Sequence, residues 1–154
     1  MLDAATPRVP SDFGAAAWCD AYLIVHAVDG LAPGAYFLDR SRGELELLRG
    51  GDFRDTASFL DLGQPLAGDA AVNVYSLANL HSVLAQLGNR GYRAAQLEGG
   101  IEGGKLYLSA YALGLGATGL TFFDDDVVRF FSPHAADKSV MFLTAIGHPA
   151  RRRA

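Results

Sequence analysis

The stretch that decides the fold runs over residues 93–126 and reads RAAQLEGGIEGGKLYLSAYALGLGATGLTFFDDD. Its small and apolar residues predict a long helix that starts at residue 91 or 92, reaches about residue 113 and ends at Gly114. A strand is predicted over residues 117–122. A short helix is predicted over 124–131, because three acidic residues in its first turn suit the helix macrodipole. The stretch therefore predicts helix, strand and helix in close succession.

Four glycines interrupt the long predicted helix: Gly99, Gly100, Gly103 and Gly104. Each glycine costs about 1 kcal/mol relative to alanine in a helix interior. They form two i, i+4 pairs, and each pair clears a flat strip on one helix face. Three explanations remain open. The strip packs closely against another helix, in the chain or across a dimer; a planar ligand or a partner's backbone approaches it; or the helix breaks into a loop over residues 98–104.

The flanking sequence alternates between strand and helix signals. Buried strands are predicted over residues 21–28, 70–76 and 140–146, and a β-hairpin over 35–38 and 44–48 around Ser41-Arg42-Gly43. Helices are predicted from Asp52 to about Leu62, and over residues 77–87 with Gly88 as the stop. This alternation predicts a layered α+β domain, with a mixed sheet flanked by helices.

Composition narrows the class of protein. The chain has 154 residues, of which 50% are hydrophobic and 19% charged, so it can bury the core of one domain. Thirteen basic and seventeen acidic residues give a net charge of −4, which argues against nucleic-acid binding. The single cysteine, Cys19, cannot form an internal disulfide. Without a signal-peptide pattern or an apolar run of ~20 residues, we expect a cytoplasmic protein without membrane contact.

Residues that carry chemistry are sparse. The four histidines form no i, i+4 pair and no HExxH motif, so no metal site is expected. No GxSxG motif supports a serine hydrolase, and no catalytic acid or base can be assigned. His26 lies in an apolar stretch, which is typical of a satisfied core histidine. The basic residues Arg151, Arg152 and Arg153 could bind a phosphate, or form a solvated tail.

Three parts of the sequence together resemble one family. Residues 93–126 are similar to its small-residue helix, Leu-Gly-Leu-Gly-Ala turn, strand and Phe-Asp-Asp helix start. Residues 10–15, Pro-Ser-Asp-Phe-Gly-Ala, followed by the strand at Tyr22, are similar to its Pro-Ser-x-x-Gly loop. Residues 31–36, Leu-Ala-Pro-Gly-Ala-Tyr, are similar to a Pro-Gly-x-Tyr turn. The chain thus resembles the nitroreductase family over about residues 10–148, in particular its branch of peptide azoline oxidases.

The resemblance implies an FMN-dependent oxidoreductase that transfers hydride or electrons between the flavin and NAD(P)H or an organic substrate. The family is usually an intertwined homodimer with flavin at the subunit interface, acting on small molecules or peptides. In this sequence the resemblance implies flavin contacts from the Pro-Ser loop, backbone contacts to the isoalloxazine edge, and phosphate contacts near the chain end. The corresponding residues are Ser11 and its neighbour Asp12 for the loop, Gly119, Leu120 and Thr121 for the edge, and Arg151, Arg152 and Arg153 for the phosphate.

The sequence also departs from the family pattern. Nine residues precede Pro10, and Arg8 is the only basic one among them, whereas the family begins with a helix and an Arg-rich motif. Phe122 stands where many members have glycine, so a bulky side chain is expected where the flavin needs backbone access. We therefore expect a tail over 1–9, a nitroreductase-like domain over 10–148 that lacks the usual N-terminal helix, and a basic tail over 149–154. A module that has lost FMN and acts in dimerisation or in ligand or partner binding is the alternative function.

Overall fold

A six-stranded sheet with helices on both faces forms the framework of residues 1–5 and 17–149, the part of the chain that the computed structural model describes. The strand order is β3-β2-β1-β4-β6-β5. The strands are β1 Cys19–Val25, β2 Gly34–Asp39, β3 Glu44–Gly50, β4 Val72–Ala78, β5 Gly116–Gly119 and β6 Ser139–Gly147. The helices are α1 Leu2–Ala5, α2 Arg54–Leu60, α3 Pro65–Asp69, α4 Leu80–Leu87, α5 Gly91–Ala112 and α6 Asp124–Phe131, with a 3-10 turn at Gly88–Arg90.

The α+β class is confirmed, but the expectation of a mixed sheet is wrong. Every strand pair in the described residues is antiparallel. Between β3 and β4 the chain forms only α2 and α3, of 7 and 5 residues. Helices this short rise roughly 10 Å, which is too little to return the chain along a strand of about 23 Å. Strand β4 therefore enters at the end where β1 stops. The longer α5 does return the chain before β5. Strand β6 then lies between β4 and β5 and pairs with both in antiparallel orientation.

Both faces of β1 are buried, which explains its nearly continuous apolar sequence. Leu23 and Val25 pack in the cluster that contains Leu106 of α5. Tyr22 and Ile24 pack in the cluster formed with α2, α3 and α6. The sheet is therefore the middle layer of three.

The helix predicted over residues 77–87 begins later than expected. Leu77 belongs to β4, where it is fully buried, and α4 starts at Leu80. Asn79 caps α4, because its side-chain oxygen accepts the N–H of Ser82 at 2.9 Å. Val83, rather than Leu84, is the buried residue of this helix. The predicted start was too early because Leu77 and Ala78 are the last residues of β4.

Helix α5 is continuous from Gly91 to Ala112, so the helix-break explanation for its glycines is wrong. Gly99 and Gly103 lie against β6: a Cβ on Gly99 would sit 3.2 Å from the Cβ of Met141, and one on Gly103 would sit 2.7 Å from Cδ1 of Phe142. A Cβ on Gly100 or on Gly104 would meet no heavy atom of the described residues within 4 Å. The pair Gly99 and Gly103 therefore allows a close helix–strand approach, and the pair Gly100 and Gly104 faces outward.

The first five residues contact the domain. They form the single helical turn α1, Leu2–Ala5. Ala5 is fully buried in the cluster that contains Leu106 and Ala110 of α5. None of the helices in the described ranges is long and apolar enough to cross a membrane.

Candidate functional site

The segment expected to face a flavin lies at an edge of the sheet. It consists of residues 119–123 and joins the edge strand β5 to helix α6; we call it the β5–α6 segment. Gly119 and Thr121 are exposed, and Leu120 is half-buried. The three residues that the family resemblance assigned to the isoalloxazine edge thus lie in a solvent-accessible segment.

Hydrogen bonds hold the β5–α6 segment from two sides. On one side, the N–H of Gly119 donates to the hydroxyl of Tyr107 on α5, and the N–H of Leu120 donates to the carbonyl of Leu143 on β6 at 3.4 Å. On the other side, the N–H of Phe123 donates to the carbonyl of Leu60 at 2.8 Å. The segment is therefore placed by three elements that are distant in sequence.

The turn between α2 and α3, residues 61–64, also reaches the segment. Nε2 of Gln64 lies 3.4 Å from the carbonyl oxygen of Thr121 and 3.3 Å from its Oγ1. The same Nε2 donates to the carbonyl oxygen of Asp61 at 2.8 Å. Gln64 therefore links the turn to the site through one side-chain amide.

The side chain of Phe122, expected at the backbone of the site, packs against the core instead of being fully exposed. Phe122 is half-buried and packs against the core cluster around Tyr75 and Leu143. Its neighbour Phe123 is the exposed aromatic residue, at 41%, and its ring lies 5.6 Å from that of Phe59. Successive residues of an extended segment point to opposite sides, so the bulky side chain at position 122 turns inward.

A buried carboxyl group lies directly behind the site. Asp61 is fully buried at the end of α2, and its Oδ1 accepts the hydroxyl proton of Tyr75 at 2.9 Å. Its Oδ2 has no hydrogen-bond partner within the described part of the chain. Burial raises the pKa of Asp61 to about 7, against the opposing effect of the Tyr75 hydrogen bond. No pattern in the sequence points to this residue, because an aspartate near a helix end is usually exposed.

A buried ion pair lies on the other face of the sheet. Glu102 of α5 is 5% exposed, and its Oε1 lies 2.5 Å from Nη2 of Arg40, which follows β2. Ser76 of β4 donates to its Oε2 at 3.3 Å. Burial raises the pKa of Glu102, although the Arg40 guanidinium acts in the opposite direction. The pair ties α5 to the hairpin and stands apart from the β5–α6 segment.

The remaining expected site residues lie outside the described residues. These are Ser11, Asp12, Arg151, Arg152 and Arg153. His26 is a buried core residue with its Nε2 3.4 Å from Nδ2 of Asn73, but its Nδ1 has no hydrogen-bond partner in the described residues, so it is only partly satisfied. Burial lowers the pKa of His26, which favours the neutral ring. Within residues 1–5 and 17–149, no group of three or more His, Cys, Asp or Glu side chains is arranged to hold a metal ion.

The antiparallel sheet with helices on both faces, the long glycine-containing helix and the exposed β5–α6 segment define an α+β domain of three layers. The chain belongs to the nitroreductase family, whose family model matches residues 1–148. The family resemblance of the sequence is thereby confirmed.

Solved structures agree with this assignment. A protein from Anabaena variabilis assigned to the nitroreductases is 36% identical, with a TM-score of 0.81 over 86% of this chain and 27% of that one. A chain of the E. coli microcin synthetase McbBCD complex with truncated pro-MccB17 bound is 16% identical, with a TM-score of 0.71 over 85% of this chain and 52% of that one. The NADPH:FMN oxidoreductase from Vibrio harveyi complexed with NAD+ is 17% identical, with a TM-score of 0.52 over 64% and 46%.

The last two likenesses show the fold alone. The chain spans about a quarter to a half of the length of these three proteins. No curated protein matches the sequence significantly.

Proposed function

We propose that the chain contributes the flavin-binding part of an FMN-dependent oxidoreductase, in which hydride or electrons pass between FMN and NAD(P)H or an organic substrate. The accessible backbone of the β5–α6 segment, in a member of the nitroreductase family, is the observation that carries the proposal. The Vibrio harveyi relative is an FMN oxidoreductase by name, which supports the same cofactor. Bound FMN would supply the hydride chemistry, and the protein would orient it.

The shape of the β5–α6 segment suits a planar ring. Gly119 presents no side chain, and Phe122 is turned into the core, so the backbone can be approached closely. The N–H groups of Gly119 and Leu120 are already bonded within the protein. The carbonyl oxygen and the hydroxyl of Thr121, which both lie near Nε2 of Gln64, would therefore be the polar neighbours of the ring.

Ser11, with Asp12 beside it, would contact the flavin, and the cofactor phosphate would be held by Arg151, Arg152 and Arg153. We expect FMN to bind with micromolar rather than nanomolar affinity. Charge-assisted arginine contacts are strong phosphate anchors, but fixing the backbone of each residue that makes such a contact costs about 1–2 kcal/mol in entropy. Each 1.4 kcal/mol corresponds to about a tenfold change in Kd. Titration with FMN, followed by quenching of flavin fluorescence, measures the affinity.

The matched variant changes Arg151, Arg152 and Arg153 to alanine, and it should weaken FMN binding at least about tenfold. Arg42→Ala, at an exposed arginine of the β2–β3 turn, is the control and should bind FMN like the wild type. Tight binding that ignores the three arginines would show that the phosphate is held elsewhere. A colourless protein that resists reconstitution with FMN would favour the alternative, a nitroreductase-like module without flavin.

We also propose that the protein is a homodimer, with the outer face of α5 in the interface. This face carries the residues Leu97, Gly100, Gly104, Leu108 and Tyr111, which recur at helical spacing and are all exposed. Leu108 is 71% exposed, which is high for a leucine in a regular helix. Because Gly100 and Gly104 leave the middle of the stripe flat, a second helix can approach closely.

Leu108→Glu should convert the dimer to a monomer, because it places a charge in the centre of an apolar contact. Light scattering over a wide concentration range measures the change. Leu47→Glu is the control, since Leu47 is 51% exposed on the edge strand β3 and should leave the dimer intact. A wild-type protein that is monomeric at every concentration would contradict the proposal.

A further inference from the structure

The α2–α3 turn connects a buried, half-satisfied carboxyl group to the β5–α6 segment. Asp61 opens the turn, with Oδ1 on the Tyr75 hydroxyl and Oδ2 without a partner among the described residues. Gln64 closes the turn and reaches Thr121. The backbone between them adopts positive φ angles, 58° at Leu62 and 71° at Gly63. A leucine in the left-handed region costs about 1 kcal/mol, so the turn must be held in this shape by its contacts.

We propose that Asp61 is a positioning residue whose neutral form seats the α2–α3 turn against the β5–α6 segment, and whose ionisation releases that segment and weakens cofactor binding. The first half of the proposal, that neutral Asp61 seats the turn and ionised Asp61 releases the β5–α6 segment, concerns the chain alone. The second half, that this release weakens cofactor binding, rests on the proposed function.

The surroundings of Asp61 explain why ionisation would release the turn. A buried carboxylate without a countercharge is costly, and opening the turn would give it water. Tyr75 supplies one hydrogen bond but cannot neutralise the charge. The pKa of Asp61 reflects burial and Tyr75. Three helices packed around Asp61 carry charged side chains. These are Arg54 and Asp55 on α2, Asp69 on α3, and Asp124, Asp125, Asp126 and Arg129 on α6. Within the described residues, none of them forms a hydrogen bond or an ion pair with Asp61.

The geometry carries the effect to the site in two steps. The carbonyl oxygen of Asp61 accepts both the backbone N–H of Gln64, at 3.2 Å, and its side-chain Nε2, at 2.8 Å. That Nε2 in turn meets Thr121, while the neighbouring Leu60 carbonyl holds the N–H of Phe123. Movement of Asp61 therefore removes the outer support of the β5–α6 segment and leaves its contacts to α5 and β6.

The direction of the pH dependence follows from the pKa of about 7. An unfolded aspartate has a pKa near 4, so the folded state retains a proton between these values. The free energy of unfolding should therefore fall as the pH rises from about 4 to about 7, and this contribution is lost above the folded pKa. The Phe123 amide should lose protection across the same upper limit.

Hydrogen exchange on the flavin-free full chain tests the first half. Between pH 5.5 and 8.5, after correction for intrinsic rates, protection of the Phe123 amide should fall about tenfold or more, because each pH unit changes the ratio of ionised to neutral Asp61 tenfold. Asp61→Asn should abolish this fall. Asp69→Asn, at an exposed aspartate of α3, is the control and should retain it. A fall that persists in Asp61→Asn, or no fall in the wild type, would overturn the proposal.

A second variant keeps the test decisive if Asp61→Asn does not fold. Tyr75→Phe removes the hydrogen bond that lowers the pKa of Asp61, so the loss of protection should move to higher pH. A merely structural role for Tyr75 would instead lower protection equally at all pH values, which would contradict the proposal.

FMN titration at pH 5.5 and 8.5 tests the second half. Wild-type affinity should weaken about tenfold at the higher pH, and Asp61→Asn should bind equally at both. If no FMN binds at either pH while the exchange results hold, the proposed function fails and the positioning role of Asp61 stands. If FMN binds with no pH dependence in the wild type, the link from Asp61 to the cofactor is refuted.

Discussion

Gly103→Leu should destabilise the protein by about 3 kcal/mol, whereas Gly104→Leu, one residue along the same helix, should cost nothing or stabilise it slightly. A Cβ at position 103 would already sit 2.7 Å from Cδ1 of Phe142, so a leucine there must displace the ring or lift α5 from the sheet. At position 104 a Cβ meets no heavy atom of the described chain within 4 Å. Leucine at that position therefore only improves helix propensity, by up to about 1 kcal/mol.

Chemical denaturation measures both changes, with each variant made in the Leu108→Glu background. In a monomer, a second copy of α5 cannot add to the effect at position 104. Phe142→Leu removes the ring atoms nearest Gly103 and should recover part of the loss in the double variant, since substitutions at contacting residues are not additive. Equal effects at positions 103 and 104 would show that helix propensity, and not contact with β6, governs both sites.

In the dimeric wild-type background, Gly104→Leu tests a different contact. It should leave the fold intact and weaken self-association, because the side chain would stand in the flat middle of the exposed α5 stripe. A stabilised variant that is still a dimer would show that Gly104 is not a site of close approach between subunits.

Arg40→Met should destabilise the protein by about 3 kcal/mol near neutral pH. The change leaves the carboxylate of Glu102, 5% exposed, without its countercharge at 2.5 Å. Burial already raises the pKa of Glu102, and loss of Arg40 would raise it further. The stability difference between wild type and variant should therefore be largest at high pH, and it should shrink as the pH falls through the pKa of Glu102 and the buried charge is removed.

Two comparisons isolate the buried pair. Arg42→Met removes an exposed arginine whose partner, Glu44 at 3.0 Å, is also exposed, and it should change stability by less than about 1 kcal/mol. Adding Glu102→Leu to Arg40→Met should restore most of the stability, because no unpaired charge then remains. A loss that is independent of pH, or that the second substitution does not repair, would assign the role of Arg40 to its aliphatic packing.

The sequence alone determined the elements whose signals are local. The helix predicted over residues 124–131 matches α6, because its acidic first turn is a property of adjacent residues. Gly114 ends α5 with a φ of 71°, as the glycine predicted. The hairpin of β2 and β3 also agrees, and the motifs in residues 93–126 led to the family.

The tertiary structure decided what depends on residues distant in sequence. Strand direction was set by the shortness of α2 and α3, which a pattern of alternating elements does not reveal. Phe122 was expected to obstruct the site, but its side chain packs against the core cluster that contains Tyr75 and Leu143. Asp61 and Glu102 are buried only because other elements pack over them, and that burial raises their pKa values. Burial is a property of the assembled layers, since it depends on which atoms exclude water from a group and not on the residues beside it in the chain.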